Sequence, residues 1–152
     1  MSLNANRQGC NMNFQRTYRV LTSQVDISNH LSNVQYHEFY KSTIFALLFE
    51  KKYSELVYPQ TMMPIVLNEF TEYFKEVGFD EEVRVEVSLS EISEKKNKMV
   101  VLGKMYNSKN ELISAWKCFV ANMNLETRKI EPFPEKAIAM FMEYYEQPLA
   151  TT

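Results

Sequence analysis

Six consecutive apolar residues, Ile44-Phe-Ala-Leu-Leu-Phe49, close the longest helical pattern in the sequence. Across about Val34 to Lys52, the residues Tyr36, Tyr40, Ile44, Leu47 and Leu48 share one stripe at helical spacing. Phe39, Ala46 and Phe49 carry apolar surface further around the cylinder. A helix with so little polar face over its second half belongs inside a structure, so the remaining elements are expected to wrap it. Its entrance is the opposite in character. Asp26, Ser28, Asn29, His30, Ser32 and Asn33 form a polar cluster without apolar periodicity, which reads as a connection with Ser32 or Asn33 as the helix N-cap.

What can wrap such a helix is set by the flanking patterns. Phe14 to Val25 is rich in β-branched and aromatic residues and predicts a strand. Tyr58-Pro59-Gln60 is a break, and Met63 to Phe74 reads as a long strand whose Pro64 suits a strand entry or an edge. Val83, Val85, Val87 and Leu89 alternate with Arg84, Glu86 and Ser88, giving one dry face and one polar face. A basic turn (Lys95, Lys96, Lys98) leads to a strand over Met99 to Tyr106. Asn107 to Asn110 has hairpin-turn composition, and Leu112 to Met123 is a last long strand. Pro132 and Pro134 introduce a short helix over about Glu135 to Tyr145. Strand, helix, four strands with short turns and a final helix make an antiparallel α+β arrangement, because no helices alternate with the later strands as a parallel sheet requires.

Composition narrows the function classes. The chain has 152 residues, enough for one domain with a sizeable core. Its net charge of −2 gives no global electrostatic case for nucleic acid or an anionic membrane surface. Cys10 and Cys118 lie far apart, without metal-type spacing, and two thiols outside a disulfide framework fit a reducing compartment, a single bridge between them being the alternative. No apolar run reaches the ~18 residues of a membrane span, and the N-terminus lacks the apolar core of a signal peptide. The expectation is a cytoplasmic protein with residues 1–13 as a flexible leader and residues 14–152 as a single domain.

Asp26 stands four residues before the element His30-Leu-Ser-Asn33, and Tyr36 follows three residues after the Asn. Pro64-Ile-Val66 opens the second strand and Asp80-Glu-Glu-Val83 leads the third. With the element order, these residues resemble the hotdog-fold acyl-CoA thioesterases, in the branch containing 4-hydroxybenzoyl-CoA thioesterase. The resemblance covers roughly residues 14 to 135. It implies a five-stranded antiparallel sheet wrapped around one long central helix, with a short C-terminal helix. It implies hydrolysis of an acyl-CoA or acyl carrier protein thioester to free acid and thiol, and a homodimer or homotetramer with sites at the subunit boundary. Coenzyme A would be part of the substrate, with no separate cofactor and no metal. Two departures stand out. Gln24 replaces a second acidic residue, and Asn29 stands where many members have Gly. Gln24 removes a like charge near Asp26, and Asn tolerates the left-handed backbone that Gly would serve.

Thioester hydrolysis needs a nucleophile or a base for water, a site for the oxyanion, and a slot for the acyl group. The resemblance assigns the first to Asp26, as nucleophile or general base; the plain alternative is a turn-capping carboxylate. Helix N-termini offer free N–H groups and a positive dipole end, and the family pattern puts the oxyanion amide at Asn33. His30 would orient Asp26 or line the pocket, against the reading of a hydrogen-bonded loop histidine. Tyr36 would face the substrate, against a core Tyr with its hydroxyl satisfied. Lys95, Lys96 and Lys98 would meet coenzyme A phosphates, against a solvated turn. A hydratase of the same fold is disfavoured by the four-residue Asp26–His30 spacing without an intervening Pro. A non-catalytic acyl-CoA- or ligand-binding protein of this fold is the alternative function.

Overall fold

A computed structural model describes residues 13–146. Its strands are β1 (Phe14–Arg19), β2 (Met62–Tyr73), β3 (Glu82–Ile92), β4 (Lys98–Asn107), β5 (Leu112–Asn124) and the short β6 (Lys129–Ile130). Its helices are α1 (Asn33–Glu50), α2 (Tyr53–Val57) and α3 (Glu135–Met142). All strand pairs are antiparallel, in the order β1-β3-β4-β5-β2, with β6 paired to β5. The alternation in β3 sets the layering. Val83, Val85, Val87 and Leu89 are buried on the concave face. The β3–β4 and β4–β5 registers continue that face through Met99, Val101, Gly103 and Met105 to Ser114, Trp116, Cys118 and Val120.

α1 lies on this concave face. Tyr36, Phe39, Tyr40, Thr43, Leu47 and Leu48 are its buried residues. Tyr40 stacks on Trp116 with ring centroids 5.1 Å apart and donates to Ser114 Oγ at 2.9 Å. Gly103 makes room for that stack, because a Cβ there would stand 2.7 Å from the Tyr40 ring and 2.9 Å from Trp116. From β1, Tyr18 stacks on Phe39 at 4.8 Å and its hydroxyl meets Thr43 Oγ1 at 2.9 Å. The far end of α1 is closed by α2 and α3, where Phe141 packs against Tyr53 and Phe133.

Four sequence expectations change. The first strand ends at Arg19 instead of Val25, because Val20 turns away to exchange bonds with residues 80 and 81, and Thr22–Gln24 forms a 3-10 turn closed by Leu21 N–H to Gln24 Oε1. The long helix stops at Glu50, and after Lys52 in the left-handed region (φ 53°) a separate α2 begins. α3 ends at Met142, short of Tyr145, and the chain beyond it bridges in parallel to Leu89 where β1 no longer covers β3. Finally, α1 is not enclosed on all sides. Phe49 is 81% exposed and Val34 66%, since one curled sheet covers only the side of a helix that it faces. The expected leader, residues 1–13, lies outside the described residues except for Asn13.

Candidate active site

The loop entering α1 is built around one carboxylate oxygen. Asp26 Oδ1 accepts from Ser28 N–H at 2.9 Å, Ser28 Oγ at 2.7 Å and His30 N–H at 3.1 Å. The backbone closes on itself through Asp26 N–H to His30 C=O (2.9 Å) and Asn29 N–H to Asp26 C=O (3.0 Å). This tight reversal requires a left-handed residue, and Asn29 supplies it at φ 63°. The Asn29 side chain then accepts from Phe79 N–H at 3.4 Å, tying the loop to the segment after β2. Gly78 fits beneath it, because a Cβ there would approach the Asn29 carbonyl to 3.0 Å.

Asp26 is fully exposed, yet its carboxyl is held below the usual carboxylate range. The Ser28 hydroxyl is the largest cause and the His30 backbone N–H the next, each stabilising the charged form. The His30 ring has two contacts of its own, Nδ1 to Ser28 Oγ at 3.3 Å and Nε2 to Glu76 Oε2 at 3.0 Å. His30 therefore orients Asp26 through its backbone and through Ser28.

Ser32 is the N-cap of α1 in extended backbone (φ −70°, ψ 150°) but makes no side-chain capping bond. Asn33 is the first helical residue and is exposed at the pocket wall, and no Ser32 hydroxyl caps the first turn. Tyr36, one turn on, is buried. Its hydroxyl donates to Lys75 C=O at 3.4 Å, its ring meets Tyr73 edge-to-face at 5.0 Å, and burial pushes it up to about 12. Asp26, His30, Leu31, Asn33 and Tyr36 form one wall of a pocket of about 360 Å³, and residues 73–76 form the other.

The chain matches the model of the thioesterase-like superfamily over residues 20–141. It belongs to that superfamily. The hotdog fold agrees with solved structures at low identity. A hypothetical protein of Staphylococcus aureus, described in complex with CoA, shares 19% identity at a TM-score of 0.79, covering 93% of this chain and 89% of that one. A 1,4-dihydroxy-2-naphthoyl-CoA thioesterase from Synechocystis shares 10% at 0.74, covering 86% and 96%. A predicted thioesterase from Bacillus stearothermophilus shares 14% at 0.77, covering 90% and 99%. No curated protein matches the sequence.

Within this thioesterase-like chain, the structure brings Asp26, His30, Asn33 and Tyr36 to one pocket and leaves Lys95, Lys96 and Lys98 out of it. The lysines occupy the β3–β4 turn, beyond the Ile92–Met99 pair, whereas the loop after β1 lies at the Val83–Asn107 end. A strand length of roughly 30 Å separates the two ends. The opposite wall of the pocket was not legible as site. Residues 75–80 carry only turn composition, and Glu76 becomes a partner of His30 only once β2 is folded beside α1. The cation at that wall, Lys75, is ion-paired with Glu111. Among the described residues no group of three His, Cys, Asp or Glu is placed to hold a metal ion. No helix among them is long and apolar enough to cross a membrane.

Proposed function

We propose that this chain hydrolyses acyl thioesters of coenzyme A or acyl carrier protein, with Asp26 as the reacting carboxylate and the Asn33 backbone amide as the oxyanion site. The observation that carries it is the convergence of an exposed, ionised carboxylate and an uncapped helix N-terminus on one pocket wall. Membership of the thioesterase-like superfamily supports the reaction type.

All three bonds described for Asp26 fall on Oδ1 and lower its proton affinity, which makes it a weak base but an ionised nucleophile at every working pH. In this reading Oδ2 attacks the thioester carbon and the tetrahedral oxyanion is held by the Asn33 N–H. The C–S bond then breaks, the thiolate takes a proton from water, and an acyl–Asp26 anhydride remains. Water attacks the Asp26 Cγ of this anhydride, releasing the free acid with Oδ2 and regenerating the carboxylate with one oxygen from water. The general-base variant uses the same groups, with Asp26 taking the proton of the attacking water. Incubation in ¹⁸O-water separates the two: label retained in Asp26 after a single turnover marks the nucleophile. Coenzyme A enters as part of the substrate, with no separate cofactor or metal, and the working compartment is the cytoplasm. The chain acts as a homodimer or homotetramer, a reading supported by the open β2 edge.

Thiol release from a panel of acyl-CoA and acyl carrier protein esters tests the proposal. Release of thiol from none of them at micromolar enzyme would leave the non-catalytic binding alternative.

A further inference from the structure

The site wall continues along α1. Asn33 and His37 are one helical turn apart on the same face, about 6 Å between their Cβ atoms. His37 Nδ1 lies 3.0 Å from Glu69 Oε1, and the two side chains are 39% and 32% exposed. Glu69 sits on β2 opposite Cys118, so it projects to the same concave face as Tyr73, which pairs with Ser114. Tyr36–Tyr73 and His37–Glu69 therefore both bridge α1 and β2, the first lining the pocket and the second half-exposed beside it, further from the β2 end that lines the pocket.

We propose that His37, fixed by Glu69, determines acyl specificity by hydrogen-bonding a hydroxyl group carried on the acyl chain. The inference rests on the thioester reading for the direction of entry. A bulky thiol carrier stays at the exposed mouth beside Asp26, and the acyl group runs along α1 past the Asn33 amide toward His37. The Glu69 carboxylate makes Nδ1 the proton-bearing nitrogen, and among the described residues Nε2 has no hydrogen-bond partner. A neutral ring presents Nε2 as an acceptor and a charged ring presents it as a donor. A hydroxyl satisfies either, since it both donates and accepts. A carboxylate on the acyl chain would be repelled by Glu69. A plain alkyl chain would strip water from the His37–Glu69 pair and give nothing back.

The test separates recognition from turnover. Stable ketone analogues of hexanoyl-, 3-hydroxyhexanoyl- and 5-hydroxyhexanoyl-CoA, with a methylene between sulfur and carbonyl, are titrated into the full chain by calorimetry. The wild type is expected to bind one hydroxylated analogue about tenfold more tightly, or better, than the hexanoyl analogue. His37→Asn keeps a group at the Nδ1 position for Glu69 but has nothing at Nε2, and is expected to bring the ratio to about one. His37→Gln places an amide near Nε2 and retains part of the preference. A wild-type ratio near one for both hydroxylated analogues, or a ratio unchanged in His37→Asn, overturns the inference. Because these analogues cannot be hydrolysed, discrimination without any thioesterase activity would sink the catalytic reading and leave this one standing. Hydrolysis without discrimination would do the reverse.

Discussion

At Asp26 the chemistry and the local fold use different atoms of one residue. Oδ1 organises the loop through three hydrogen bonds, and the reading of function needs the other oxygen and the charge. Asp26→Asn keeps an acceptor for the Ser28 and His30 donors but loses the charge, so the expected outcome is a loss of about 100-fold or more in kcat/KM with only a small drop in melting temperature. Asp26→Ala loses the acceptor as well and should also melt earlier. The pH dependence follows from the direction of the shift. A carboxyl held below its usual range contributes stability above the ordinary carboxylate pKa, and that contribution disappears as pH falls through the lowered value. Activity that needs the ionised form should therefore have its acid limb below the ordinary carboxylate range. Ser28→Ala removes the largest cause of the shift, so the limb should move upward toward the ordinary carboxylate range in a kcat/KM profile. A limb that stays in place would mean Asp26 is not the titrating group.

Among the elements, the N-terminus of α1 permits a direct test of a backbone amide. Asn33 is the first helical residue, where proline is tolerated because its missing N–H has no intrahelical partner. Ser32 already has the extended backbone that a following proline imposes. Asn33→Pro should leave the far-ultraviolet spectrum and melting temperature near wild type while lowering kcat about 100-fold, and Asn33→Ala should stay close to wild type. Equal activities for the two would remove the amide from the mechanism. The sheet offers a second test. Gly103→Ala would push a Cβ into the Tyr40–Trp116 stack, at an expected cost of roughly 1–3 kcal/mol by chemical denaturation. Both elements show what a sequence discloses. The alternation Val83 to Leu89 places the concave face correctly, and Asp26, His30, Asn33 and Tyr36 meet because they lie close together along the chain. His37–Glu69 and His30–Glu76 join residues far apart in sequence, and no local pattern records which residue of α1 faces which residue of β2. The strand expected to run to Val25 fails for a related reason. Val20 to Val25 has strand composition, but its backbone partners are loop groups at 80 and 81, the 3-10 turn's own atoms, and Leu31 and Ser32 just ahead of α1.

For the whole molecule, the question is what covers the side that the sheet leaves open. Among the described residues β2, 12 residues long, is an edge strand paired on one side, to β5. Along it Val66 is 57% exposed and Phe70 61%, and beyond its end Phe74 is 50% exposed. Phe49 stands clear of the sheet on the neighbouring helix. A long edge strand with exposed apolar side chains invites pairing with another strand. A second copy can pair the same edge about a two-fold axis, which meets the need with no new surface and closes the assembly. Such pairing would also lay the second copy along the α1–β2 cleft that holds Asn33, Tyr36 and His37. We expect light scattering at micromolar concentration to give at least twice the chain mass. Phe70→Asp, which puts a charge on the outward face of β2 without touching the concave core, should shift the mass toward one chain and lower kcat/KM together. A wild-type chain that is monomeric at that concentration would end this reading. So would a monomeric Phe70→Asp chain with full activity, because the cleft would then work uncovered.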